Sequence, residues 1–294
     1  MSESKALIWI SAARPKTLFA AAAPVIIGTA MACGDHGFHL FAALAAFMGA
    51  ILIQIGTNFA NDYSDFKSGA DDHTRLGPTR ATAAGLVTPA QMKAATVIAF
   101  GLALLIGIYL VARGGWPIVI IGLSSILWGV LYTAGPYPLG YNGLGDLFVL
   151  IYFGPVAVGG TYYVQTLDMT PAVLIAGLSP GLFSVAILTV NNLRDIESDR
   201  RTGKKTLPVR FGRSFARLEY VVSITIAALL PILLHFLTGG PVIAIGAALV
   251  LPAAIPAFRT VYRSEDGPAL NNLLATTGKL LLLYSLLFSI GWLI

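Results

Sequence analysis

The sequence predicts an all-α integral membrane protein, a bundle of nine transmembrane helices. Hydrophobic residues make up 56% of the 294 residues and charged residues only 11%, whereas soluble domains carry roughly 25% charged residues. A hydrocarbon core of about 30 Å needs about 20 apolar residues per helix, and the chain offers many runs of that length. We interpret residues 1–294 as a single membrane-embedded domain.

Nine apolar runs justify the helix count. In chain order they are 17–34, 39–60, 90–112, 115–133, 144–165, 171–192, 214–237, 240–259 and 269–294. The third and fourth runs are divided only by Arg113-Gly114-Gly115, which predicts a tight hairpin. The single cysteine, Cys33, excludes an intrachain disulfide.

The basic residues predict the orientation of the bundle. Of 19 Lys and Arg residues, only Arg113 falls in a predicted external loop and only Lys279 lies deep in a span. All the others collect on one side, which the positive-inside rule assigns to the cytoplasm. The chain is therefore expected in the plasma (inner) membrane, with a cytoplasmic N-terminus and an external C-terminus. This topology also accounts for the net charge of +5, so the charge does not indicate a nucleic-acid-binding protein.

Two short acidic stretches, in the predicted cytoplasmic loops at about 61–89 and 193–213, require another explanation. The first contains Asn58, Asp62 and Asp65, and the second contains Asn191, Asp195 and Asp199. Both include the pattern N-x-x-x-D, and residues three and four apart share one helical face. Carboxylates gathered on a face repel each other unless a cation lies between them. Oxygen ligands from Asp and Asn suit Mg²⁺, which proteins hold with one or two carboxylates and substrate phosphates.

Cations accompany both acidic stretches and predict a diphosphate ligand. We assign Asn58, Arg75, Arg80, Asn191, Lys204 and Arg210 to diphosphate binding, because Arg and Lys are the usual phosphate contacts. The alternative is a pair of solvated, self-compensating loops. In that case the asparagines cap helix ends, and the basic residues set topology or bind anionic lipid.

The two stretches resemble motifs of the UbiA superfamily of intramembrane aromatic prenyltransferases. The resemblance lies in N-D-Y-S-D-F-K-S-G, which begins at Asn61, and in N-N-L-R-D-I-E-S-D-R-R-T-G-K-K, which begins at Asn191. It is greatest for the branch that prenylates 1,4-dihydroxy-2-naphthoate. Many superfamily members have a third Asp where this chain has Gly69, and glycine there favours that branch.

The resemblance implies nine helices around a central cavity with the Asp motifs at its cytoplasmic mouth. It also implies Mg²⁺ as cofactor, and a polyprenyl diphosphate and 1,4-dihydroxy-2-naphthoate as substrates, within the lipid bilayer. The reaction would release CO₂ and diphosphate and give demethylmenaquinone. On this basis Asp62, Asp65, Asp195 and Asp199 are expected to be the catalytic metal ligands.

Three further residues are candidates for the acceptor site. Arg14 and Lys16 precede the first long helix and could pair with the carboxylate of an aromatic acid, or only anchor the helix. Asp146 begins the fifth run and could polarise a ring hydroxyl, or only cap the helix.

Two alternatives remain open at this point. The acceptor could be 4-hydroxybenzoate or another phenol, since the motifs address only the diphosphate. The protein could also be a transporter, but transporter sites lie near the bilayer midplane on broken helices. The acidic residues of this chain collect at one end of the predicted bundle, which argues against transport.

Overall fold

The computed structural model describes residues 4–69, 77 and 80–294, and all regular structure in these residues is helical. The α-helices of this described part are α1 Lys5–Ala13, α2 Pro15–Gly34, α3 Leu40–Lys67, α4 Pro89–Gly114, α5 Trp116–Leu131, α6 Gly145–Ile151, α7 Ala157–Thr166, α8 Pro171–Arg194, α9 Ile196–Arg201, α10 Leu207–Thr238, α11 Val250–Arg263 and α12 Gly267–Leu293. A π-helical segment, Tyr152–Val156, joins α6 to α7, and 3₁₀ segments precede α6 (Gly140–Asn142) and α11 (Val242–Leu249).

The predicted membrane bundle is confirmed. Within the described residues, eight helical segments are long and apolar enough to cross a membrane. The fourth predicted run corresponds to α5, which has 16 residues and is about 24 Å long at 1.5 Å per residue. The nine runs therefore appear in the predicted order, eight as full-length segments and one as a shorter helix.

Helix α8 lies at the centre of the bundle, where glycines let its neighbours approach closely. Gly177 and Gly181 form a G-x-x-x-G pair, a pattern that favours close packing of membrane helices. A Cβ atom built on Gly181 would lie 2.4 Å from the Leu150 carbonyl oxygen, and one on Gly177 would lie 2.7 Å from Cα of Pro155. The π segment that contains Pro155 can reach α8 only because these side chains are missing.

The short helix α1 was not predicted by the apolar runs. It meets α2 at Arg14, which adopts a left-handed conformation with φ 54°. Ile8 and Trp9 pack against Phe59 of α3, with the Trp9 and Phe59 ring centroids 5.6 Å apart. Because Ala81 belongs to the same cluster, α1 covers the segment that leads into α4.

The structure shows where Lys279 lies along the bundle. A Cβ atom built on Gly278 would lie 3.3 Å from the carbonyl oxygen of Lys16, so Lys279 lies level with the first turn of α2. Asn271, in the second turn of α12, accepts a hydrogen bond of 2.6 Å from Arg194 at the end of α8. Helix α12 therefore begins well beyond the start of α2. Lys279, which is exposed, lies near the same end of the bundle as both motifs.

Candidate active site

The structure brings the two motif segments together around one polar cavity of about 160 Å³. We call it the polar cavity. Its lining includes residues of both motifs and several cations, among them Arg14, Asn61, Asp65, Arg80, Asn191, Asp195, Asp199 and Lys204. The cavity lies at the end of the bundle where α3 and α8 terminate.

The first motif remains helical, because α3 continues to Lys67. Asn61 and Asp65 are four residues apart, so both face the polar cavity. Asp65 is buried, its Oδ1 atom accepts a hydrogen bond of 2.6 Å from the Tyr141 hydroxyl, and its Oδ2 atom pairs with Arg80. Asn61 accepts a hydrogen bond of 2.8 Å from the Thr133 hydroxyl.

Asn58 and Asp62 have the same spacing but do not line the polar cavity. The two carboxylate oxygens of Asp62 accept hydrogen bonds from the backbone N–H groups of Ala81 and Thr82, at 3.0 and 3.1 Å. Asn58 donates a 2.9 Å hydrogen bond to the carbonyl of Ala13. Asp62 thus holds the segment before α4, and Asn58 ties α3 to the junction of α1 and α2.

In the first motif, the pair of residues that faces the polar cavity is therefore Asn61 and Asp65. Sequence reasoning missed Asn61, although it has the same N-x-x-x-D spacing to Asp65 as Asn191 has to Asp195. A shift of three residues turns a helical side chain by about 60°, which is enough to move Asn58 and Asp62 away from the cavity.

The second motif lies across a helix break. Helix α8 ends at Arg194, and Asp195 separates it from α9. Arg194 donates to both oxygens of Asp195, at 2.8 and 2.5 Å, and to Oδ1 of Asn191 at 2.8 Å. The backbone N–H of Asp199 donates to the carbonyl of Asp195 at 2.8 Å. Arg194, which sequence reasoning did not select, therefore orients the oxygen atoms of this motif, and its position directly before Asp195 was the available signal.

Lys204 connects the two motifs. Its Nζ atom lies 3.9 Å from Oδ1 of Asp65 and 3.9 Å from Oδ1 of Asp199. The same ammonium lies 4.5 Å from the centroid of the Tyr141 ring. A predicted diphosphate contact is thus placed between the acidic groups of both motifs.

The other predicted cations divide between the cavity and the surface. Arg80 and Arg14 line the polar cavity, whereas Lys16 is exposed and does not. Arg210 also does not line it, and its guanidinium donates to the carbonyls of Lys205 and Asn142. The prediction for Arg75 lies outside the described residues.

Asp146 lies in the first turn of α6 and lines neither this cavity nor its neighbour. Its Oδ1 atom is buried and has no hydrogen-bond partner in the described part of the chain. The Asp146 carboxyl is close enough to interact electrostatically with the side chains of Tyr132 and Glu219. Asp146 is therefore an interior carboxyl behind the cavity wall, and its predicted contact with an acceptor stays a prediction.

A second, apolar cavity of about 650 Å³ adjoins the polar one. Asn61 and Tyr132 line both cavities. Trp128, Phe148 and Tyr152 form an aromatic wall, with ring centroids 4.9 Å apart for the first pair and 6.3 Å for the second. The combined space fits an amphiphile with a compact anionic head and a long apolar tail.

The oxygen donors fit Mg²⁺ when a phosphate shares its coordination. Among the described residues, no three acidic, His or Cys side chains are grouped closely enough to hold a metal ion by themselves. Mg²⁺ is usually bound by one or two carboxylates with substrate phosphates and water. Asp65, Asp195 and Asp199 around one small cavity match that pattern.

A cation-lined polar cavity that continues into an apolar cavity defines a membrane protein built for an anionic amphiphile. The chain belongs to the UbiA prenyltransferase family, whose sequence profile matches residues 21–292.

Curated relatives and a solved structure agree with this membership. The chain is 38% identical to a 1,4-dihydroxy-2-naphthoate octaprenyltransferase of Escherichia coli (strain K12), over 98% of this chain and 96% of that protein. It is also 38% identical to the protein of the same name from Mycobacterium tuberculosis (strain ATCC 25618 / H37Rv), over 95% and 94%. A UbiA homolog from Archaeoglobus fulgidus, solved with GPP and Mg²⁺, has the same fold with a TM-score of 0.64. It is 13% identical, over 96% of this chain and 99% of that one.

Proposed function

We propose that this protein transfers a polyprenyl group from polyprenyl diphosphate to 1,4-dihydroxy-2-naphthoate. CO₂ and diphosphate leave, and the product is the reduced form of demethylmenaquinone, an intermediate of menaquinone biosynthesis. The observation that carries this proposal is the continuity of the polar and apolar cavities at Asn61 and Tyr132. The acceptor is inferred from the two bacterial relatives that bear this activity in their names.

The diphosphate head is assigned to the polar cavity. Asp65, Asp195 and Asp199, with amide oxygens of Asn61 and Asn191, are the proposed ligands of Mg²⁺. Bound Mg²⁺ supplies positive charge to the departing diphosphate oxygens. Lys204, Arg80 and Arg14 surround the same space and would complete neutralisation of the leaving group. Asp62 supports the site by holding the backbone that precedes α4.

The polyprenyl tail is assigned to the apolar cavity. With the head in one cavity and the tail in the other, the allylic C–O bond lies near Asn61 and Tyr132. Ionisation of this bond gives an allylic cation, which aromatic faces stabilise. The apolar lining excludes water, so the aromatic acceptor is the nucleophile that captures the cation.

The acceptor must reach the same junction. Arg14 lines the polar cavity and is positioned to pair with the acceptor carboxylate before CO₂ leaves. The ring carbon that bears this carboxylate attacks the allylic carbon, and the electron pair of the broken C–CO₂ bond restores the aromatic ring. Asp146 and Lys16 stay proposed acceptor residues. Asp146 would act from behind the cavity wall, and Lys16 would act from the surface.

The orientation predicted from the basic residues is also retained as a proposal. The end of the bundle that carries both motifs also carries most of the Lys and Arg residues. By the positive-inside rule this end faces the cytoplasm of the inner membrane. Soluble substrates and released diphosphate would then exchange directly with the cytoplasm.

The proposal is tested with purified protein, Mg²⁺ and octaprenyl diphosphate, given either 1,4-dihydroxy-2-naphthoate or 4-hydroxybenzoate. We expect a decarboxylated prenyl naphthoquinol, accompanied by CO₂, from the naphthoate alone. Product from the benzoate alone would keep the diphosphate site and overturn the acceptor. No product from either, in a preparation that binds the donor, would overturn the transferase and favour transport.

A further inference from the structure

Arg210 joins two loops that flank the polar cavity. Its Nε atom donates to the carbonyl of Lys205 at 2.9 Å, and its Nη2 atom donates to the carbonyl of Asn142 at 2.7 Å. The backbone N–H of Lys205 donates in turn to the carbonyl of Tyr141 at 2.7 Å. One guanidinium thus holds the loop before α6 against the loop before α10.

The backbone of Gly143 packs directly against the contact between Arg210 and Lys205. Its φ of 73° lies in the left-handed region, where glycine is favoured. A Cβ atom built there would lie 2.8 Å from the Lys205 carbonyl oxygen and 3.3 Å from Cζ of Arg210. Any other side chain at this position would push the two loops apart.

Each of the joined loops carries a group that acts on Asp65. Tyr141 donates its hydroxyl to Oδ1 of Asp65 at 2.6 Å. Lys204 places its ammonium 3.9 Å from the same oxygen and over the Tyr141 ring. A change in the separation of the loops would therefore displace two of the contacts that orient Asp65.

We propose that Arg210 is a positioning residue that acts through Lys204 and Tyr141 and does not touch the diphosphate. This proposal deepens the proposed function, because it assigns the geometry of the diphosphate site to a group outside the cavity. A planar guanidinium can donate to two carbonyls in a fixed fork, whereas an ammonium is a point charge. Arg210→Lys therefore keeps the charge and removes the paired hydrogen bonds from Arg210 to the carbonyls of Lys205 and Asn142, which we call the loop bridge.

The first test measures whether the loop bridge holds the two loops together, and it requires no enzymatic reaction. Hydrogen–deuterium exchange, followed by mass spectrometry, compares Arg210→Lys with the wild-type protein. We expect faster exchange in peptides covering residues 139–143 and 203–206, and unchanged exchange in the transmembrane helices. Arg213→Lys is the matched control, because Arg213 lies in the same helix and contacts the exposed Glu197. Unchanged exchange in both loops of Arg210→Lys would overturn the claim that the loop bridge holds them together, whatever reaction the protein catalyses.

The second test separates positioning from direct contact by the binding of inorganic pyrophosphate with Mg²⁺, measured by calorimetry. We expect Arg210→Lys and Gly143→Ala each to weaken binding about threefold to tenfold, the range of one or two ordinary hydrogen bonds. In a Lys204→Gln, Tyr141→Phe background, Arg210→Lys should have no further effect. If the charge-preserving Lys variant binds normally while Arg210→Ala does not, or if the loss persists in that background, Arg210 is itself a diphosphate contact and the proposal is wrong.

Discussion

The ammonium of Lys204, from the loop after the second motif, lies 3.9 Å from Oδ1 of Asp65 in the first motif. It lies equally close to Asp199, so a single cation spans the two acidic groups. The Lys204 side chain is only 16% exposed, and charges interact more strongly at such positions than in bulk water. Lys204 therefore organises both motifs before any ligand enters.

Replacing Lys204 by Gln is expected to raise the KM for polyprenyl diphosphate about tenfold to a hundredfold. The reason is the loss of one charge-assisted hydrogen bond to phosphate, worth about 1.5–3 kcal/mol. The KM for the acceptor should change little. Steady-state kinetics with each substrate varied in turn provide the measurement. Lys205→Gln is the matched control, because the Lys205 side chain is exposed and does not line the cavity. An equal effect of the two variants would mean that charge in this loop acts only at long range.

The structure separates the roles of the two carboxylates in the first motif. We expect Asp65→Asn to lower kcat/KM by about a thousandfold or more, because it removes a proposed Mg²⁺ ligand and the negative charge that pairs with Arg80. The variant should remain folded, and higher Mg²⁺ concentrations should not restore activity. Titration of activity with Mg²⁺ after chelation by EDTA provides the measurement. Asp195→Asn is expected to behave in the same way.

Asp62→Asn should instead loosen the segment before α4. An amide oxygen can accept from one of the two N–H groups that Asp62 binds, and its NH₂ group then faces the other donor. We expect a loss of about 1–3 kcal/mol in stability, faster amide exchange at Ala81 and Thr82, and a nearly unchanged Mg²⁺ requirement. A Mg²⁺ response shifted as far as that of Asp65→Asn would instead make Asp62 a metal ligand.

The close packing of α8 predicts a large effect of Gly181→Leu. The new side chain would collide with backbone, because a Cβ atom already lies 2.4 Å from the Leu150 carbonyl oxygen. Overpacking typically costs about 1–3 kcal/mol, and we expect lower thermal stability in detergent. Gly101→Ala is the control, because no atom lies within 4 Å of its Cβ position. A Gly181→Leu protein as stable as this control would show that α6 and the π segment after it can move away from α8 freely.

The apolar runs in the sequence were sufficient to predict the bundle, because helices that face lipid must be long and apolar. They missed α1, whose nine residues are too few to cross a membrane. They also ended the second helix near residue 60, because hydrophobicity stops there. The helical structure of α3 instead continues to Lys67 with polar side chains that are buried against other parts of the protein.

The motifs predicted the location of the site but not the face of each helix. The sequence contains two overlapping N-x-x-x-D patterns, Asn58 with Asp62 and Asn61 with Asp65, and spacing cannot separate them. The choice depends on tertiary contacts, since Asn58 binds the end of α1 and Asp62 binds the backbone at Ala81 and Thr82. The position of Arg210 on two loop carbonyls is equally invisible in the sequence, because its nearest partners are 5 and 68 residues away.

Chain-length selectivity is expected to change when the apolar cavity is shortened at Gly49. Gly49 is buried, lines this cavity, and has no atom within 4 Å of its Cβ position, so a new side chain there would project into the empty space. It lies twelve residues before Asn61 on α3, or about 18 Å along the helix. A phenylalanine would therefore obstruct the tail of a long donor far from the reacting bond.

For Gly49→Phe we expect kcat/KM with octaprenyl diphosphate to fall about tenfold to a hundredfold, the cost of forcing a bulky group into occupied space. With dimethylallyl diphosphate, whose tail is too short to reach Gly49, kcat/KM should stay within about twofold of the wild-type value. Gly101→Phe is the control, because Gly101 lies on α4 outside the cavity lining and its Cβ position is also open. Equal losses with both donors would show that the tail does not occupy the apolar cavity, since only a long tail passing Gly49 makes the effect depend on chain length.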